Sequence, residues 1–193
     1  MSMLLGEYEI KEITKEVLFA QMDEWGPKIF SDNDTSMNQN LILSDMEKEN
    51  IRKLHKNLSS IYSLRLGVYK GDEFCGWFCG EQHTAESFYM RNSAIYPNHR
   101  KKGLYTALLK EVMKRVQAEG FQIAYSRHNT TNNAIIIPKL KAGFKITTLE
   151  VSERFGTLVH LTYFFNEVRA QILDFRSGNS KPSEQVKKAL GIE

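Results

Sequence analysis

Long apolar segments are missing from this chain. No run approaches the roughly 20 apolar residues that a membrane-spanning helix requires. The segment from Met1 to Ile10 contains Gly6, Glu7 and Glu9 and has no continuous apolar stretch, so it does not resemble a secretory signal peptide. We therefore expect a cytoplasmic protein that has no membrane partner.

Cysteine is scarce, with two residues among 193. Cys75 and Cys79 fall on one strand-like segment, where four residues of strand separate their Cα atoms by about 13 Å, beyond the roughly 7 Å limit for a disulfide. We expect two free thiols in a reducing compartment. The five histidines show no zinc-ligand spacing with these cysteines, so the sequence predicts no metal site.

A large excess of charge is also lacking, because the net charge is only +3. The longest run of basic residues is Arg100-Lys101-Lys102, and no stripe of aromatic and basic residues accompanies it. A complete Gly-x-x-x-x-Gly-Lys-Ser/Thr loop is absent too. We therefore expect neither a nucleic-acid partner nor a nucleotide-binding P-loop.

The most informative segment surrounds that basic run. A strand-like stretch stops at Pro97, passes through the loop Arg100-Lys-Lys-Gly103, and enters an amphipathic helix that Gly120 ends. The helix is indicated by apolar residues at helical spacing, namely Leu104, Leu108, Val112 and Val116. Backbone N–H groups of a loop at a helix N-terminus form a cradle for phosphate. The segment thus predicts a phosphate-binding loop, and a basic, solvated turn before a helix is the alternative.

A second pattern lies downstream. The strand-like run Phe121 to Ser126 is followed by Asn132 and Asn133, a helical stretch, the pair Gly143-Phe144, and another strand. By itself Asn132 is equally well explained as a helix N-cap.

The remaining sequence indicates a mixed α/β arrangement. Tyr8 to Ile13 alternates like a strand, and a helix from Glu16 to Trp25, with Val17, Ala20 and Trp25 buried, should end at Gly26-Pro27. The other expected elements are a helix opened by the capping box Ser44-x-x-Glu47 and reaching Leu58, strands Arg65 to Tyr69, Glu73 to Gln82, Phe88 to Tyr96, Lys145 to Val151 and Thr157 to Phe165, and a helical tail broken at Ser177 to Pro182.

Together the two patterns resemble the GNAT N-acetyltransferase superfamily. Its pyrophosphate loop reads Arg/Gln-x-x-Gly-x-Gly/Ala, which Arg100 and Gly103 match, whereas Tyr105 replaces a small residue. Its next segment reads Asn-x-x-Ala-x-x-x-Tyr-x-x-x-Gly-Phe, which Asn132 and Gly143-Phe144 match, with Ile135 at the alanine position. The likeness extends from about Tyr62 to Phe165. It implies a central, mostly antiparallel sheet flanked by helices, in which the strands holding Ile95 and Ala124 splay apart to admit the pantetheine arm.

The resemblance also implies acetyl-CoA as co-substrate. The residues expected to bind it are Ala94 and Ile95 through their backbone, Arg100, Lys101, Lys102, Gly103, Leu104, Tyr105 and Thr106 in the loop, and Asn132 and Asn133 beside the CoA arm. Tyr105 is expected to turn its ring away from the pyrophosphate.

The catalytic residues are less defined. At the position of the family's proton-donating tyrosine this chain has Lys139, preceded by Pro138, which should kink or end the helix. A solvated helix lysine is the alternative for Lys139, and Tyr125, Ser126 and His128 are the nearby substitutes. Glu81 is the first candidate for the base, beside Glu86, His83 and a route through water.

The sequence therefore predicts an acetyltransferase domain over residues 1–166 and a helical extension over residues 167–193. The acceptor is expected to be a primary amine, of a small molecule in preference to a peptide, and a homodimer is allowed. A non-catalytic acyl-CoA-binding or sensory module is the alternative, because the tyrosine is missing. The tail is expected to pack on the core, contact a second subunit or fray.

Overall fold

The computed structural model describes residues 3–30, 44–46, 48–49 and 61–192. Within these residues eight strands form one sheet in the order β1-β2-β3-β4-β5-β6-β8-β7. The strands are β1 (Met3–Leu5), β2 (Tyr8–Glu12), β3 (Ser63–Lys70), β4 (Glu73–Gln82), β5 (Ser87–Ile95), β6 (Ile123–Asn129), β7 (Lys145–Ser152) and β8 (Gly156–Phe164). Neighbouring strands are antiparallel except β5 and β6, which are parallel. The expected mixed α/β fold is confirmed.

Helices cover both faces of the sheet. They are α1 (Lys15–Phe30), α2 (Leu104–Ala118), α3 (Asn133–Lys141), α4 (Glu167–Arg176) and α5 (Glu184–Leu190). The larger core packs α2 and α3 against one face, on the side of Phe78, Phe88 and Leu161. A smaller cluster joins Leu18 of α1 to Trp77 and Tyr96 on the other face. No helix of the described residues is both long and apolar enough to cross a membrane.

Two prolines lie inside helices that we expected them to end or kink. Helix α1 continues through Pro27 to Phe30, and α3 continues through Pro138 to Lys141. A proline removes one backbone hydrogen bond, but packing outweighs this loss in both helices. Trp25 and Ile29 pack against the Trp77 cluster, and Lys139 is buried in the last turn of α3.

The buried face of α1 also differs from the expectation. Leu18 is the buried residue of this helix, whereas Val17 is 38% exposed, Ala20 is exposed and Trp25 is half-buried. The hydrophobic pattern of α1 is weak, and the face predicted from it was centred one residue away from the buried one.

The N-terminal region holds an unexpected strand. Strand β1 pairs with β2 across the turn at Gly6, which adopts a positive φ of 57°. Further along, the Lys48 N–H donates to the Ser44 carbonyl, as the start of the expected helix requires. Its Glu47 and its continuation to Leu58 lie outside the described residues.

The C-terminal extension packs on the domain. Lys145 on β7 forms an ion pair with Asp174 of α4 at 2.8 Å, and Glu86 pairs with Arg169 at 2.8 Å. The Val186 side chain of α5 is fully buried. Among the three arrangements considered for this segment, the structure therefore has the one that covers the core.

Candidate active site

Strands β5 and β6 open into a wedge at the centre of the sheet. Their residues pair only from Ser87 with Ile123 to Tyr89 with Tyr125, although β5 continues to Ile95 and β6 to Asn129. Beyond the last pair the facing edges of the two strands are not joined to each other. The splay implied by the resemblance is therefore present, and we call this opening the gap.

A bulge in β5 lies at the closed end of the gap. Cys79 pairs with Asn92 and Glu81 with Tyr89, so two residues of β5 face the single Gly80 of β4. A Cβ on Gly80 would lie 2.5 Å from the Phe88 ring and 2.7 Å from the Tyr89 carbonyl oxygen. Glycine is needed there because the two backbones approach too closely for a side chain.

The backbone of Ile95 points into the gap. The N–H of Tyr96 donates to the Cys75 carbonyl at 2.8 Å, and backbone groups alternate in direction along a strand. Ile95 and Ser93 therefore direct their polar groups away from β4, whereas those of Ala94 face β4. The geometry favours Ile95 and the unanticipated Ser93 over Ala94 as backbone partners for a ligand.

The basic loop has the conformation of an anion cradle. Lys101 and Gly103 both adopt positive φ angles, 61° and 76°, and α2 starts immediately afterwards. Gly103 is the N-cap residue and no side chain caps the helix, so the N–H groups of Leu104, Tyr105 and Thr106 have no partner within α2. A Cβ on Gly103 would meet nothing within 4 Å. The loop fits a bound pyrophosphate in its donors and in its free space.

The three basic side chains of the loop have different surroundings. Arg100 donates through Nε to the Ile95 carbonyl at 3.0 Å. Lys102 donates to the Tyr8 hydroxyl at 3.1 Å and therefore points toward β2. Lys101 is exposed on the outside of the loop. Of the two lysines, Lys101 is thus better placed to neutralise a phosphate.

Tyr105 packs its ring against the larger core, as expected. Its hydroxyl is buried without a hydrogen bond of good geometry, although Ser93 lies beside it. Burial raises the pKa of this hydroxyl far above its usual range. The bulky residue at the family's small position therefore does not fill the cradle.

Asn132 and Asn133 lie at the start of α3. Asn132 is the N-cap residue, but its side chain makes no capping hydrogen bond. Both residues are exposed. The capping alternative for Asn132 is thus not realised, and its amide is available to a ligand.

Lys139 is not the solvated helix lysine that we considered, because it is only 2% exposed. Its ammonium group donates to Ser126 Oγ at 2.6 Å, lies 3.6 Å from Met90 Sδ, and stands 5.0 Å from the centre of the Phe144 ring. Burial lowers the pKa of Lys139 to about 7. Met90 is in the β5 bulge and Ser126 follows Tyr125, so the amine bridges the two strands where they part.

Ser126 also contacts His128, whose Nε2 is 2.9 Å from Ser126 Oγ. Burial, and next the charge of Lys139, lower the pKa of His128 to about 3, so this imidazole is neutral. The sequence named both residues as substitutes without linking them to Lys139. The signal for burial was the spacing of Lys139 three residues after buried Ile136, on the same face of α3.

Glu81 and Tyr125 lie on the opposite face of the sheet from Lys139. With Tyr89 they form one row across β4, β5 and β6. Glu81 pairs with Arg91, and the Tyr125 hydroxyl lies 3.0 Å from His83 Nδ1. The three expected catalytic side chains thus approach the gap from its two sides and do not contact one another.

One group of potential metal ligands occurs among the described residues. The ligand atoms of Glu73, Cys75 and His99 lie within 4.8 Å of one another, although sequence spacing gave no such indication. His99 already has a protein partner on each ring nitrogen, Glu73 Oε1 at 3.2 Å and the Tyr8 hydroxyl at 3.1 Å. These hydrogen bonds explain the proximity of the three residues as a structural contact that holds the start of the basic loop against the sheet. Cys75 and Cys79 are both free, as expected, and both are buried.

The comparisons with known proteins agree with this geometry. The model of the acetyltransferase (GNAT) family matches residues 23–144, and the chain belongs to this family. It is a GNAT-family acetyltransferase. No curated protein matches the sequence.

Solved structures share the fold at low identity. A GNAT acetyltransferase from Elizabethkingia anophelis with acetyl-CoA bound is 15% identical with a TM-score of 0.56, covering 83% of this chain and 100% of its own. A GNAT acetyltransferase from Streptococcus pneumoniae is 19% identical with a TM-score of 0.59, and the match covers 82% of this chain and 99% of that protein. The ribosomal-protein-S18-alanine N-acetyltransferase of Escherichia coli is 13% identical with a TM-score of 0.56, and the match covers 82% of this chain and 94% of that protein. These likenesses concern the fold alone.

Proposed function

We propose that this protein transfers the acetyl group of acetyl-CoA directly to a primary amine of a small molecule. The observation that carries the proposal is the position of the gap, which leads from the anion cradle at Gly103 to the buried amine of Lys139. One end suits the pyrophosphate of CoA, and the other presents a proton donor where the two strands part. Residues 1–166 form the acetyltransferase domain in this proposal, and residues 167–193 are an extension.

Cofactor binding rests mainly on backbone groups. The N–H groups from Lys101 to Thr106 hold the pyrophosphate, helped by the α2 dipole and by the charges of Arg100 and Lys101. The free edge of β5 at Ile95 bonds the pantetheine arm. Asn132 and Asn133 bond the arm from the side of α3.

The acceptor amine approaches from the face that carries Glu81, Tyr89 and Tyr125. Among the described residues the opposite face is filled by the larger core, so we place the acceptor on the face that carries these three side chains. The amine lone pair attacks the thioester carbonyl carbon, and the carbon–sulfur bond breaks. Glu81, directly or through water, accepts the proton that the amine nitrogen loses, and the Tyr125 hydroxyl helps to orient the amine.

Lys139 protonates the departing thiolate. A thiol has an unperturbed pKa near about 8.5, and an amine whose pKa lies slightly below that value transfers its proton downhill. Holding the thioester between the two strands supplies a further share of the rate enhancement, because positioning alone can lower a barrier by several kcal/mol.

A small acceptor is supported by the row of half-buried side chains beside the gap. Arg91 pairs with Glu81, and Arg127 pairs with Glu150, so both signs of charge lie on one narrow face. Such a surface suits a compact polar amine. Since the fold also occurs in an enzyme named for a protein alanine, peptides belong in the test as the second class.

The test is a turnover screen with acetyl-CoA against amines, polyamines, aminoglycosides and peptides, in which a thiol reagent reports free CoA. We expect steady release of CoA with at least one small amine, and mass spectrometry should find the acetylated product. Calorimetric binding of acetyl-CoA with no turnover of any amine would instead identify a non-catalytic acyl-CoA-binding module. Exclusive turnover of peptides would reject the small-molecule acceptor.

A further inference from the structure

Lys139 needs a route by which it recovers a proton. In the proposed function, on which this inference rests, Lys139 gives one proton to the CoA thiolate in each cycle. Its side chain is only 2% exposed, so bulk water does not reach it freely. Each further turnover therefore depends on some group that carries a proton inward.

Within the part of the chain that the structure describes, the contacts of Lys139 leave one route for a proton. Its amine touches Met90 Sδ at 3.6 Å and Ser126 Oγ at 2.6 Å, and it lies 5.0 Å from the centre of the Phe144 ring. A thioether and a phenyl ring have no exchangeable proton, whereas a hydroxyl both donates and accepts. Ser126 is itself fully buried, so the route must continue to another group.

His128 provides the continuation. Its Nε2 lies 2.9 Å from Ser126 Oγ, and His128 is half-buried near the end of β6. The distances of 2.6 and 2.9 Å lie within the range of hydrogen bonds, so the three side chains form an unbroken chain. It runs along one face of β6 from the closed end of the gap toward the surface.

We propose that Ser126 and His128 form a proton relay that returns a proton from solvent to Lys139 after each acetyl transfer. When the thiolate leaves, an N–H bond of Lys139 breaks, an S–H bond forms, and a neutral amine remains. The Ser126 hydroxyl proton passes to the amine lone pair, the Nε2 proton of His128 passes to Ser126 Oγ, and His128 Nδ1 takes a proton from water. The ring then regains its first tautomer by exchange with water.

The protons balance over the cycle. The sulfur gains one proton, and the acceptor nitrogen releases one when the amine becomes an amide. Nothing is oxidised or reduced. Ser126 and His128 act through Lys139, so both are positioning and relay residues, and Lys139 is the group that gives its proton to the sulfur in the proposed function.

The charges around the chain suit this role. His128 is the titratable side chain that acts on the chain from β6, while Met90 on β5 and Phe144 after α3 are uncharged. No carboxylate of the described residues hydrogen-bonds to Lys139, and burial lowers its pKa to about 7. A neutral imidazole has one N–H and one free lone pair, which is the form that passes a proton through both nitrogens.

The experiment uses the full chain with acetyl-CoA and the best amine of the screen. Ser126→Ala removes the central hydroxyl, Ser126→Thr restores one, and His128→Gln keeps a hydrogen-bonding group that cannot pass a proton through two nitrogens. Thr162→Val is the control, because it removes another buried hydroxyl of the sheet, one that bonds Thr147. The second readout is the pH titration of the Lys139 side chain by NMR in ¹³C-lysine-labelled protein, with the signal assigned from Lys139→Met.

We expect Ser126→Ala to lower kcat at least about tenfold, with the KM for acetyl-CoA changed less than about threefold, and to move the Lys139 titration to lower pH. Ser126→Thr should recover most of kcat, and Thr162→Val should match the original protein. His128→Gln should lower kcat while leaving the Lys139 titration in place, because it interrupts transfer without removing the Ser126 contact.

Unchanged turnover in His128→Gln would overturn the relay, as would a loss in Ser126→Ala that Ser126→Thr does not recover. An unmoved Lys139 titration in Ser126→Ala would also count against it. If the original protein binds acetyl-CoA but acetylates no amine, the proposed function fails separately. The titrations still report whether Ser126 is coupled to Lys139.

Discussion

In the proposed function, the two ends of the gap present positive charge to the same cofactor in opposite ways. At the cradle, Lys101 and the neighbouring basic residues are exposed, and the binding groups are backbone N–H donors. At the closed end, a single amine is enclosed by a thioether, a phenyl ring and a hydroxyl. The first environment is wet and its charges are screened, whereas the second is dry.

Because the two environments differ, we expect the cradle to determine CoA affinity and the closed end of the gap to determine the rate of the reaction. A surface charge near a phosphate contributes modestly, because water and salt already weaken the interaction. A buried amine has lost its hydration, so its protonation changes readily when a thiolate forms beside it. We therefore expect substitutions in the cradle to alter CoA binding and substitutions at Lys139 to alter turnover.

The largest effect is expected for Gly103→Pro. Proline fixes φ near about −65° and removes an N–H, whereas the cradle requires a φ of 76° at this position. CoA affinity should fall by at least about 100-fold, or roughly 2.7 kcal/mol, in a calorimetric titration. Gly103→Ala is the matched control, because it keeps the N–H and its Cβ meets no atom within 4 Å, so it adds only the strain of a side chain at positive φ. A Gly103→Pro affinity equal to that of the original protein would show that the loop does not bind the cofactor.

Lys139→Met should mainly affect turnover. Methionine preserves the volume of the side chain but donates no proton, and general acid catalysis typically contributes at least about 100-fold. Steady-state kinetics should show kcat reduced by about that factor, with CoA affinity within about threefold. Lys141→Met tests an exposed lysine of the same helix and should be close to the original protein. A Lys139→Met enzyme with normal kcat would mean that the thiolate leaves without an acid.

The dry environment of Lys139 also predicts how stability depends on pH. The folded-state pKa of about 7 lies below the ordinary value of 10.5, so between these values the unfolded chain binds more protons than the folded one. Stability should rise with pH through this window, and the penalty for burying the charge is complete below about pH 7. Denaturant unfolding at pH 7 and 9 should show the original protein gaining on the order of 2 kcal/mol relative to Lys139→Met. A constant difference between the two proteins would mean that Lys139 keeps its ordinary pKa.

The smallest effect is expected for Lys101→Ala. Loss of one exposed charge should weaken CoA binding by about tenfold at low salt, equivalent to roughly 1.4 kcal/mol. The deficit should shrink as salt is added, because screening already weakens the interaction in the original protein. Lys110→Ala, on an exposed position of α2 beyond the loop, serves as the control. A salt-independent loss for Lys101→Ala would point to a change in the loop conformation.

The cradle was predictable from the sequence, and the closed end of the gap was not. The cradle depends on a few consecutive residues whose backbone conformation follows from Gly103 and the start of a helix. The burial of Lys139 depends on Met90, Ser126 and Phe144, which lie on other elements and meet it only after folding. For the same reason Pro27 and Pro138 suggested helix ends that packing overrides.

The β5 bulge has a consequence for how this chain can vary. Before the bulge, Phe88 enters the larger core and Tyr89 faces the other side. After it, Asn92, Ala94 and Tyr96 take that other side, and Trp77 donates to Asn92 at 2.7 Å. The number of residues in this part of the strand therefore determines which face each side chain occupies. Deleting or inserting one residue between Tyr89 and Tyr96 would exchange the side chains of the two faces. A substitution there removes only the stabilisation that one side chain contributes. A change in length would move every following side chain of the strand to the opposite face.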